Sequence, residues 1–192
     1  KGQVRVTSAA ELAAGWDSVG QVPCVLEKML PLALECSVIV ARGRDGRMVH
    51  LPVQRNLHRD GILAVTEVYA SNLPLALMQQ AVAATKSIAN GLDYVGVLCV
   101  EFFVLEDGSL VVNEIAPRPH NSGHYSQNAC DISQFEAQVR ALAGLPLPEP
   151  RQHSPAIMVN LLGDLWFEPN AVRAQRSAQP VSPPWAQLLA LP

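Results

Sequence analysis

The sequence is poor in charged residues and has no strong excess of either sign. Charged residues make up 16% of the 192 residues, and the formal net charge is −3. Binding to nucleic acid through phosphates needs a basic face, so no nucleic acid partner is expected. The apolar runs are far shorter than the roughly 20 residues of a membrane span, and no signal peptide is visible. We therefore expect no membrane association.

Cysteine is scarce, and its spacing excludes the common zinc motifs. Cys24, Cys36, Cys99 and Cys130 are scattered, and no two of them form a Cys-x-x-Cys unit. Their neighbours are apolar, so we expect reduced thiols in or near the core of a cytoplasmic protein. A structural zinc site is not expected. The sequence shows no internal repeat, and its length suits a domain with a sizeable core.

Strand-like and helix-like segments alternate along the chain, which predicts an α+β fold with a largely antiparallel sheet. Strands are predicted at residues 3–6, 22–27, 37–42, 48–53, 62–69, 95–105, 110–115 and 156–162. Helices are predicted at residues 8–14, 73–90, from 131 or 133 to 143, and 185–189. Ser8 and Glu11 resemble a capping box for the first helix. Residues 168–184 are predicted to be irregular.

Two glutamates lie on the arms of a predicted β-hairpin. Asp107-Gly108 separates two apolar, β-rich runs, and this is the strongest short-range hairpin signal. If Asp107 and Gly108 form a two-residue loop, counting back along both arms places Glu101 opposite Glu114. The sequence therefore predicts two carboxylates that face each other across the sheet.

Two opposed carboxylates in an apolar hairpin need a partner. Like charges directly opposite on a sheet destabilise it by roughly 0.2–1 kcal/mol, and burial would force one group to keep a proton. Mg²⁺ removes the conflict, because it binds one or two carboxylates together with substrate phosphates. The alternative is that Glu101 and Glu114 point to solvent as ordinary polar strand residues.

A loop rich in functional side chains follows Glu114. Its sequence, IAPRPHNSGH at residues 115–124, contains two prolines and a glycine that prevent a continued strand or helix. Arg118 is suited to gripping a carboxylate or phosphate, and His120 and His124 are suited to proton exchange near neutral pH. The alternative is that these polar groups satisfy the backbone of their own loop. The density of functional side chains favours a site.

The run NEIAPRPHNSGH at residues 113–124 closely resembles a signature of the ATP-grasp ligases, and within them of the 5-(carboxyamino)imidazole ribonucleotide synthases of purine biosynthesis. VLEK at 25–28, NLHRDGIL at 56–63 and ISQFE at 132–136 agree with it in order and spacing. The resemblance extends from residue 1 to about residue 164. It implies an ATP-grasp fold, in which flanking helices cover a mostly antiparallel sheet and two subdomains hold ATP between them.

The resemblance also implies a nucleotide site. The residues that match it are Lys1, Gly2 and Gln3 in the tail of a flexible phosphate loop, Glu27, Lys28, Met29 and Leu30 in an adenine-binding hinge, Glu35 at the ribose, His58 near the phosphates, and Asn113 and Glu114. Strand alternation points Asn113 away from the face of Glu114. Either the strand is bulged there, or Asn113 acts through its backbone or from outside the direct ligands.

Metal binding and chemistry are implied in the same way. Glu101 and Glu114 match ligands of Mg²⁺, with Mn²⁺ as an alternative, and Arg118 and His120 match residues near the bicarbonate-derived group and the acceptor amine. The implied substrates are ATP, bicarbonate and 5-aminoimidazole ribonucleotide. ATP phosphorylates bicarbonate, and the resulting carboxyphosphate carboxylates the amine. The resemblance also implies a homodimer for the full-length protein.

The sequence departs from the family pattern at both ends, where a first domain and a later basic segment are not found. We expect residues 1–30 to be the remainder of the small subdomain and the hinge, residues 31–166 to be the large subdomain, and residues 167–192 to begin a C-terminal segment. The isolated chain is then expected to be weakly active or inactive. The alternatives are another ATP-grasp carboxylate–amine ligase and a non-catalytic nucleotide-binding domain.

Overall fold

An antiparallel sheet carries most of the chain. The computed structural model describes residues 2–59, 61–167 and 180–190. Its strands are β1 (Leu32–Arg42), β2 (Met48–His50), β3 (Gln54–Arg59), β4 (Ile62–Val68), β5 (Gly96–Leu105), β6 (Leu110–Ala116) and β7 (Ala156–Val159). The spatial order is β6-β5-β1-β3-β4-β7, with β2 paired to β1, and these pairings are antiparallel. The predicted α+β class with antiparallel pairing is confirmed.

Helices cover both faces of the sheet. They are α1 (Leu12–Ser18), α2 (Leu75–Gly91), α3 (Ser126–Ala129), α4 (Gln134–Ala143) and α5 (Trp185–Leu189). Helix α2 packs on one face of β1 and β5, and helix α4 packs on the other. Among the described residues, no helix combines the length and the apolar character that crossing a membrane requires.

The two central strands have apolar residues on both sides, which is why they have a core on each face. In β1, Val38 and Val40 pack towards α2, whereas Ile39 and Ala41 pack towards α4. Successive side chains of a strand point to opposite faces, so a continuous apolar run is typical of a strand that is covered on both sides. Towards the amino-terminal end of β1, the core on the α4 side gives way to polar residues, beginning at Ser37.

The amino-terminal predictions were partly wrong. Residues 3–6 and 22–27 form no strand, and the side chains of Val25 and Leu26 are 83% and 72% exposed. A β-rich segment becomes a strand only beside a hydrogen-bonding neighbour, and no described strand lies alongside these two. Because this segment is exposed, Cys24 is exposed as well, contrary to expectation, whereas the other three cysteines are buried as predicted.

Helix boundaries follow local capping chemistry. Ser8 makes no side-chain cap bond, and the Glu11 carboxylate instead accepts hydrogen bonds from the backbone N–H and the hydroxyl of Thr7, each at 2.8 Å. Of the two predicted starts of α4, Ser133 is the cap, since its hydroxyl accepts from the Glu136 N–H at 3.2 Å. Gly144 ends α4 with φ +69°, as predicted, because that left-handed conformation favours glycine.

One further strand prediction differs from the structure, and one strand was missed. The strand predicted at residues 48–53 ends at residue 50, where Pro52 approaches, and β3 was not predicted at all because polar side chains dominate it. Helix α5 lies where it was predicted. The irregular segment predicted at residues 168–184 falls largely on residues 168–179, which lie outside the described residues.

Candidate functional site

The hairpin of β5 and β6 places Glu101 opposite Glu114, as predicted. The turn, however, is one residue longer than the predicted two-residue loop, because the Leu105 N–H binds the Ser109 carbonyl at 2.9 Å and leaves three residues between them. Gly108 takes φ +80°, which suits the left-handed residue of a three-residue hairpin loop. The longer loop shifts the pairing of the two arms by one residue.

A β-bulge in β6 reverses that shift. Phe102 pairs with Val112, whereas the next residue of β5, Glu101, pairs with Glu114. Asn113 is therefore the extra residue of the bulge and has no directly opposed partner. Of the alternatives left open for Asn113, the bulged strand is the one observed. The opposition of the two carboxylates thus results from a longer turn and a bulge that cancel each other.

Glu35 and His58 contact each other across neighbouring strands. His58 Nδ1 hydrogen-bonds the Glu35 carboxylate, and each side chain keeps about a fifth of its surface exposed, 22% for His58 and 23% for Glu35. This hydrogen bond and the charge of Glu35 raise the pKa of His58 above its ordinary value, against the opposing effect of burial. Both residues line a groove of about 260 Å³ between β1, β3 and β4.

Glu101 and His120 lie side by side in a more buried position. The distance from Glu101 Oε1 to His120 Nε2 is 3.5 Å. Burial raises the pKa of Glu101, and the nearby Glu114 and Glu35 raise it further, whereas His58 and Arg118 oppose the shift. Burial and the positive charge of Arg118 lower the pKa of His120 to about 4. At neutral pH the imidazole of His120 is therefore uncharged.

The carboxylates of Glu101 and Glu114 fit a hard divalent cation. Burial and repulsion disfavour a negative charge on Glu101, and a cation between the two groups would relieve both effects. Within the described ranges, no group of three or more His, Cys, Asp and Glu side chains is arranged to hold a metal ion. A pair of carboxylates without a third protein ligand suits Mg²⁺, which commonly takes its remaining ligands from water and substrate phosphates.

The loop after β6 is held in two different ways. Arg118 is exposed, and its guanidinium donates to the Pro119 carbonyl of its own loop at 3.0 Å. His120 is buried, and Gln134 at the start of α4 bonds both its N–H and its carbonyl. His124 is exposed, and its ring stacks on Phe135 with 5.5 Å between centroids. The two catalytic candidates, Arg118 and His120, therefore lie on one loop, one of them accessible and one fixed.

A buried polar network lies beneath these residues, and the sequence interpretation missed it. Five nearly fully buried side chains are joined by hydrogen bonds: Ser37, Gln54, Asn56, Thr66 and Ser122. Gln134, which is equally buried, bonds to the backbone of His120 beside them. Within the described chain, every buried side-chain nitrogen and oxygen has a partner. The sequence signal that could have revealed this network is spacing, since Ser37, Asn56 and Ser122 each lie two positions from a predicted site residue.

The remaining candidates lie around this centre. The hinge residues Glu27–Leu30 follow one another just before β1, and no described backbone hydrogen bond joins them to the rest of the chain. Gln3 reaches the turn after His58, because its Oε1 lies 3.9 Å from the position of a Cβ on Gly61. Gly2 precedes it, and Lys1 lies outside the described residues.

An antiparallel sheet covered by helices, with paired carboxylates on a hairpin beside an open groove, is the architecture of the ATP-grasp class. The family model of the ATP-grasp domain matches residues 1–135. The chain belongs to the ATP-grasp family.

Similarities to individual proteins point to one group within the ATP-grasp family. The chain is 43% identical over 180 residues to the N5-carboxyaminoimidazole ribonucleotide synthase of Brucella melitensis, covering 93% of this chain and 49% of that protein. It matches the crystal structure of an N5-carboxyaminoimidazole ribonucleotide synthetase in complex with ADP with a TM-score of 0.80 at 43% identity, covering 85% of this chain and 43% of that one.

A third similarity concerns a structure with a second ligand. The Aspergillus clavatus N5-carboxyaminoimidazole synthase in complex with ADP and 5-aminoimidazole ribonucleotide matches with a TM-score of 0.78 at 33% identity, covering 83% of this chain and 43% of that one. The chain thus spans about half the length of the relatives it matches.

Proposed function

We propose that this chain is the nucleotide- and metal-binding part of an ATP-dependent ligase of purine biosynthesis. The reaction phosphorylates bicarbonate with ATP and transfers the carboxyl group to the amine of 5-aminoimidazole ribonucleotide, giving N5-carboxyaminoimidazole ribonucleotide, ADP and phosphate. The observation that carries the proposal is the opposition of Glu101 and Glu114 next to His120 and the groove of Glu35 and His58. Similarity to synthases of that name over nearly the whole chain supports it.

Each residue type suits a role in this reaction. The unpaired backbone of Glu27–Leu30 offers N–H and C=O groups to the edge of an adenine ring, and Glu35 accepts from ribose hydroxyls. Glu101 and Glu114 would hold Mg²⁺ or Mn²⁺, which neutralises phosphate charge when bound. Arg118 grips the anionic oxygens of the bicarbonate-derived group.

Several residues complete the proposed site. His58 lies near the phosphates, with Gly2 and Gln3 as the end of a phosphate loop that includes Lys1. Asn113 is exposed on the bulge beside the metal ligands. In this proposal residues 1–30 belong to a small subdomain, residues 31–166 to the large one, and residues 167–192 to a further segment. The whole protein is proposed to be a cytoplasmic homodimer.

The proposal is tested with this chain and with a chimaera. In the chimaera, the chain replaces the matching 180-residue region of the Brucella melitensis relative. We expect Mg²⁺-dependent ATP hydrolysis with bicarbonate that increases when 5-aminoimidazole ribonucleotide is added. We expect the isolated chain to be weakly active or inactive.

Two results would contradict the proposal in different ways. A chimaera that hydrolyses ATP but ignores the ribonucleotide would mean another ATP-grasp ligase. A chimaera that binds Mg-ATP without any turnover would mean a non-catalytic nucleotide-binding domain. The unmodified relative, assayed in parallel, controls for the quality of the substrates.

A further inference from the structure

The hydrogen bonds around His120 determine which ring nitrogen carries the proton. The backbone N–H of Ser122 points at His120 Nδ1 at 3.3 Å, and the Ser122 hydroxyl lies 2.9 Å from the same nitrogen. A backbone N–H can only donate, so Nδ1 must be the acceptor. In a neutral imidazole the proton then resides on Nε2, the nitrogen that faces Glu101.

Buried side chains beneath the site offer the Ser122 hydroxyl a donor that would turn its own proton towards His120. Thr66 donates to Asn56 Oδ1 at 3.0 Å, which leaves the Asn56 amide nitrogen to donate to Ser37 Oγ at 2.8 Å. The single proton of the Ser37 hydroxyl has two acceptors within reach, Gln54 Oε1 at 3.0 Å and Ser122 Oγ at 2.9 Å. When Ser37 donates to Ser122, the hydroxyl proton of Ser122 goes to His120 Nδ1, and the donors then run in one direction from β4 to the histidine.

Gln134 bonds both backbone groups of His120 and so restrains the orientation of its imidazole ring. Its Oε1 accepts from the His120 N–H at 2.8 Å, and its Nε2 donates to the His120 carbonyl at 2.7 Å. Both backbone groups have fixed roles, so the orientation of the Gln134 amide is determined. The same Nε2 lies 3.1 Å from His124 Nδ1, which makes that nitrogen an acceptor as well.

We propose that Ser122 and Gln134 are positioning residues that hold His120 as a hydrogen-bond donor, with its proton on Nε2 and directed at Glu101 and at an anionic oxygen bound beside it. A ring held in this way is not available as a general base through Nε2. The tautomer follows from the geometry of this chain alone. Only the identity of the anion, the bicarbonate-derived group, rests on the proposed function.

The tautomer is measured directly by long-range ¹H–¹⁵N correlation spectra of the chain labelled with ¹⁵N-histidine. The ring signals of His120 are identified by their loss in His120→Gln. We expect the Nδ1 shift of an unprotonated nitrogen and the Nε2 shift of a protonated one at neutral pH. A protonated Nδ1 in the unmodified chain would overturn the proposal, and the His120→Gln variant serves only to assign the signals.

A pair of serine variants tests the source of the preference. Ser122→Ala removes the hydroxyl donor to His120, and we expect a measurable fraction of His120 to shift to the Nδ1-protonated form. Ser154→Ala is the matched control, since Ser154 Oγ lies 2.9 Å from Nδ1 of the exposed His153. It should leave the His120 signals unchanged. Unaltered His120 shifts in a folded Ser122→Ala chain would show that the hydroxyl does not position the ring.

The functional consequence is tested in the chimaera by comparing two substitutions of His120. Glutamine keeps an N–H donor near the position of Nε2 but cannot act as a base at neutral pH, whereas alanine has neither property. For a donor, we expect His120→Gln to retain about tenfold more turnover than His120→Ala. Equal loss in both variants would contradict the donor role. If instead the expected tautomer is observed and the unsubstituted chimaera ignores the ribonucleotide, it is the proposed function that fails.

Discussion

Glu101 of β5 lies directly opposite Glu114 of β6, one residue beyond the point where Asn113 bulges out of the ladder. The bulge and the three-residue turn together set which residues of the two arms meet. A bulge next to a functional residue is a common way to redirect a side chain while the sheet continues. Here it brings two acidic groups together at the edge of the sheet, where a substrate can approach.

Neutralising either glutamate should affect binding and stability in opposite directions. We expect Glu101→Gln and Glu114→Gln to weaken Mg-ATP binding about tenfold or more, because a cation loses one of two carboxylate ligands. Without metal, the same changes should raise the free energy of unfolding by roughly 0.2–1 kcal/mol, since they remove a repulsion between opposed charges. Calorimetric titration and denaturant unfolding measure the two effects. Glu106→Gln, in the exposed turn of the same hairpin, is the control, and an equal effect there would rule out a specific metal pair.

The pKa of His58 should depend on Glu35. The hydrogen bond to Glu35 raises it, so Glu35→Gln should lower the His58 pKa towards the ordinary value in an NMR titration. Because the pKa of His58 is higher in the folded chain than in the unfolded chain, protonated His58 stabilises the fold. This contribution to the free energy of unfolding is complete below the unfolded pKa of about 6.5, and it is lost as the pH rises through the folded pKa. The stability difference between the two proteins should therefore be largest below about pH 6.5 and shrink as the pH rises through the raised pKa of His58.

The control for this titration is Glu67→Gln. Glu67 lines the same groove but bonds to Arg55 rather than to His58. It should leave the His58 pKa unchanged. A similar fall in both variants would mean that the general charge of the groove, rather than the contact with Glu35, sets the pKa.

Gly123 should tolerate no side chain. A Cβ there would lie 2.5 Å from Gln134 Oε1 and would also overlap the side chain of Ile39. We expect Gly123→Ala to lower the free energy of unfolding by about 1–3 kcal/mol, as measured by denaturant unfolding. Gly91→Ala is the matched control, because nothing lies within 4 Å of its added Cβ at the end of α2. A loss of similar size at Gly91 would show that the space around Gly123 is not the cause.

The cysteines should differ sharply in reactivity. Cys24 is exposed, whereas Cys36, Cys99 and Cys130 are buried, and burial raises the pKa of Cys36 to about 12. Because the thiolate is the reactive form, we expect one thiol to react rapidly with Ellman's reagent in the folded chain and the others only on unfolding. The rapid phase should disappear in Cys24→Ser. More than one rapid thiol in the native chain would contradict the burial of the other three.

The hairpin shows how a prediction can succeed for a reason that was incomplete. Local residue chemistry correctly located the turn at Gly108 and the arms on either side of it. Local residue chemistry did not determine the length of the loop, and it did not determine the bulge at Asn113. Both depend on how β6 fits against β5 over its whole length, which no short segment encodes.

The predictions failed in opposite ways at residues 22–27, where a predicted strand does not form, and at β3, where a strand forms that was not predicted. Val25 and Leu26 have strand-forming side chains, yet they remain unpaired because no described strand lies beside them. Asn56 and His58 belong to a strand that its polar composition hides, since Asn56 bonds to Ser37 and Thr66, and His58 bonds to Glu35, instead of filling an apolar core. Strand formation depends on the neighbour, and the neighbour is a property of the fold.

The sequence by itself determined the α+β class, the long helix α2, the end of α4 at Gly144, and the motif that identifies the family and its candidate residues. These features rest on periodicity, capping and short runs of residue types, which are local. Only the tertiary structure decided that His58 meets Glu35, that His120 meets Glu101, and that Ser37, Asn56 and Ser122 join into one network beneath them. Those contacts connect β1, β3, β5 and the loop after β6, and they arise because the sheet brings distant segments within hydrogen-bonding distance.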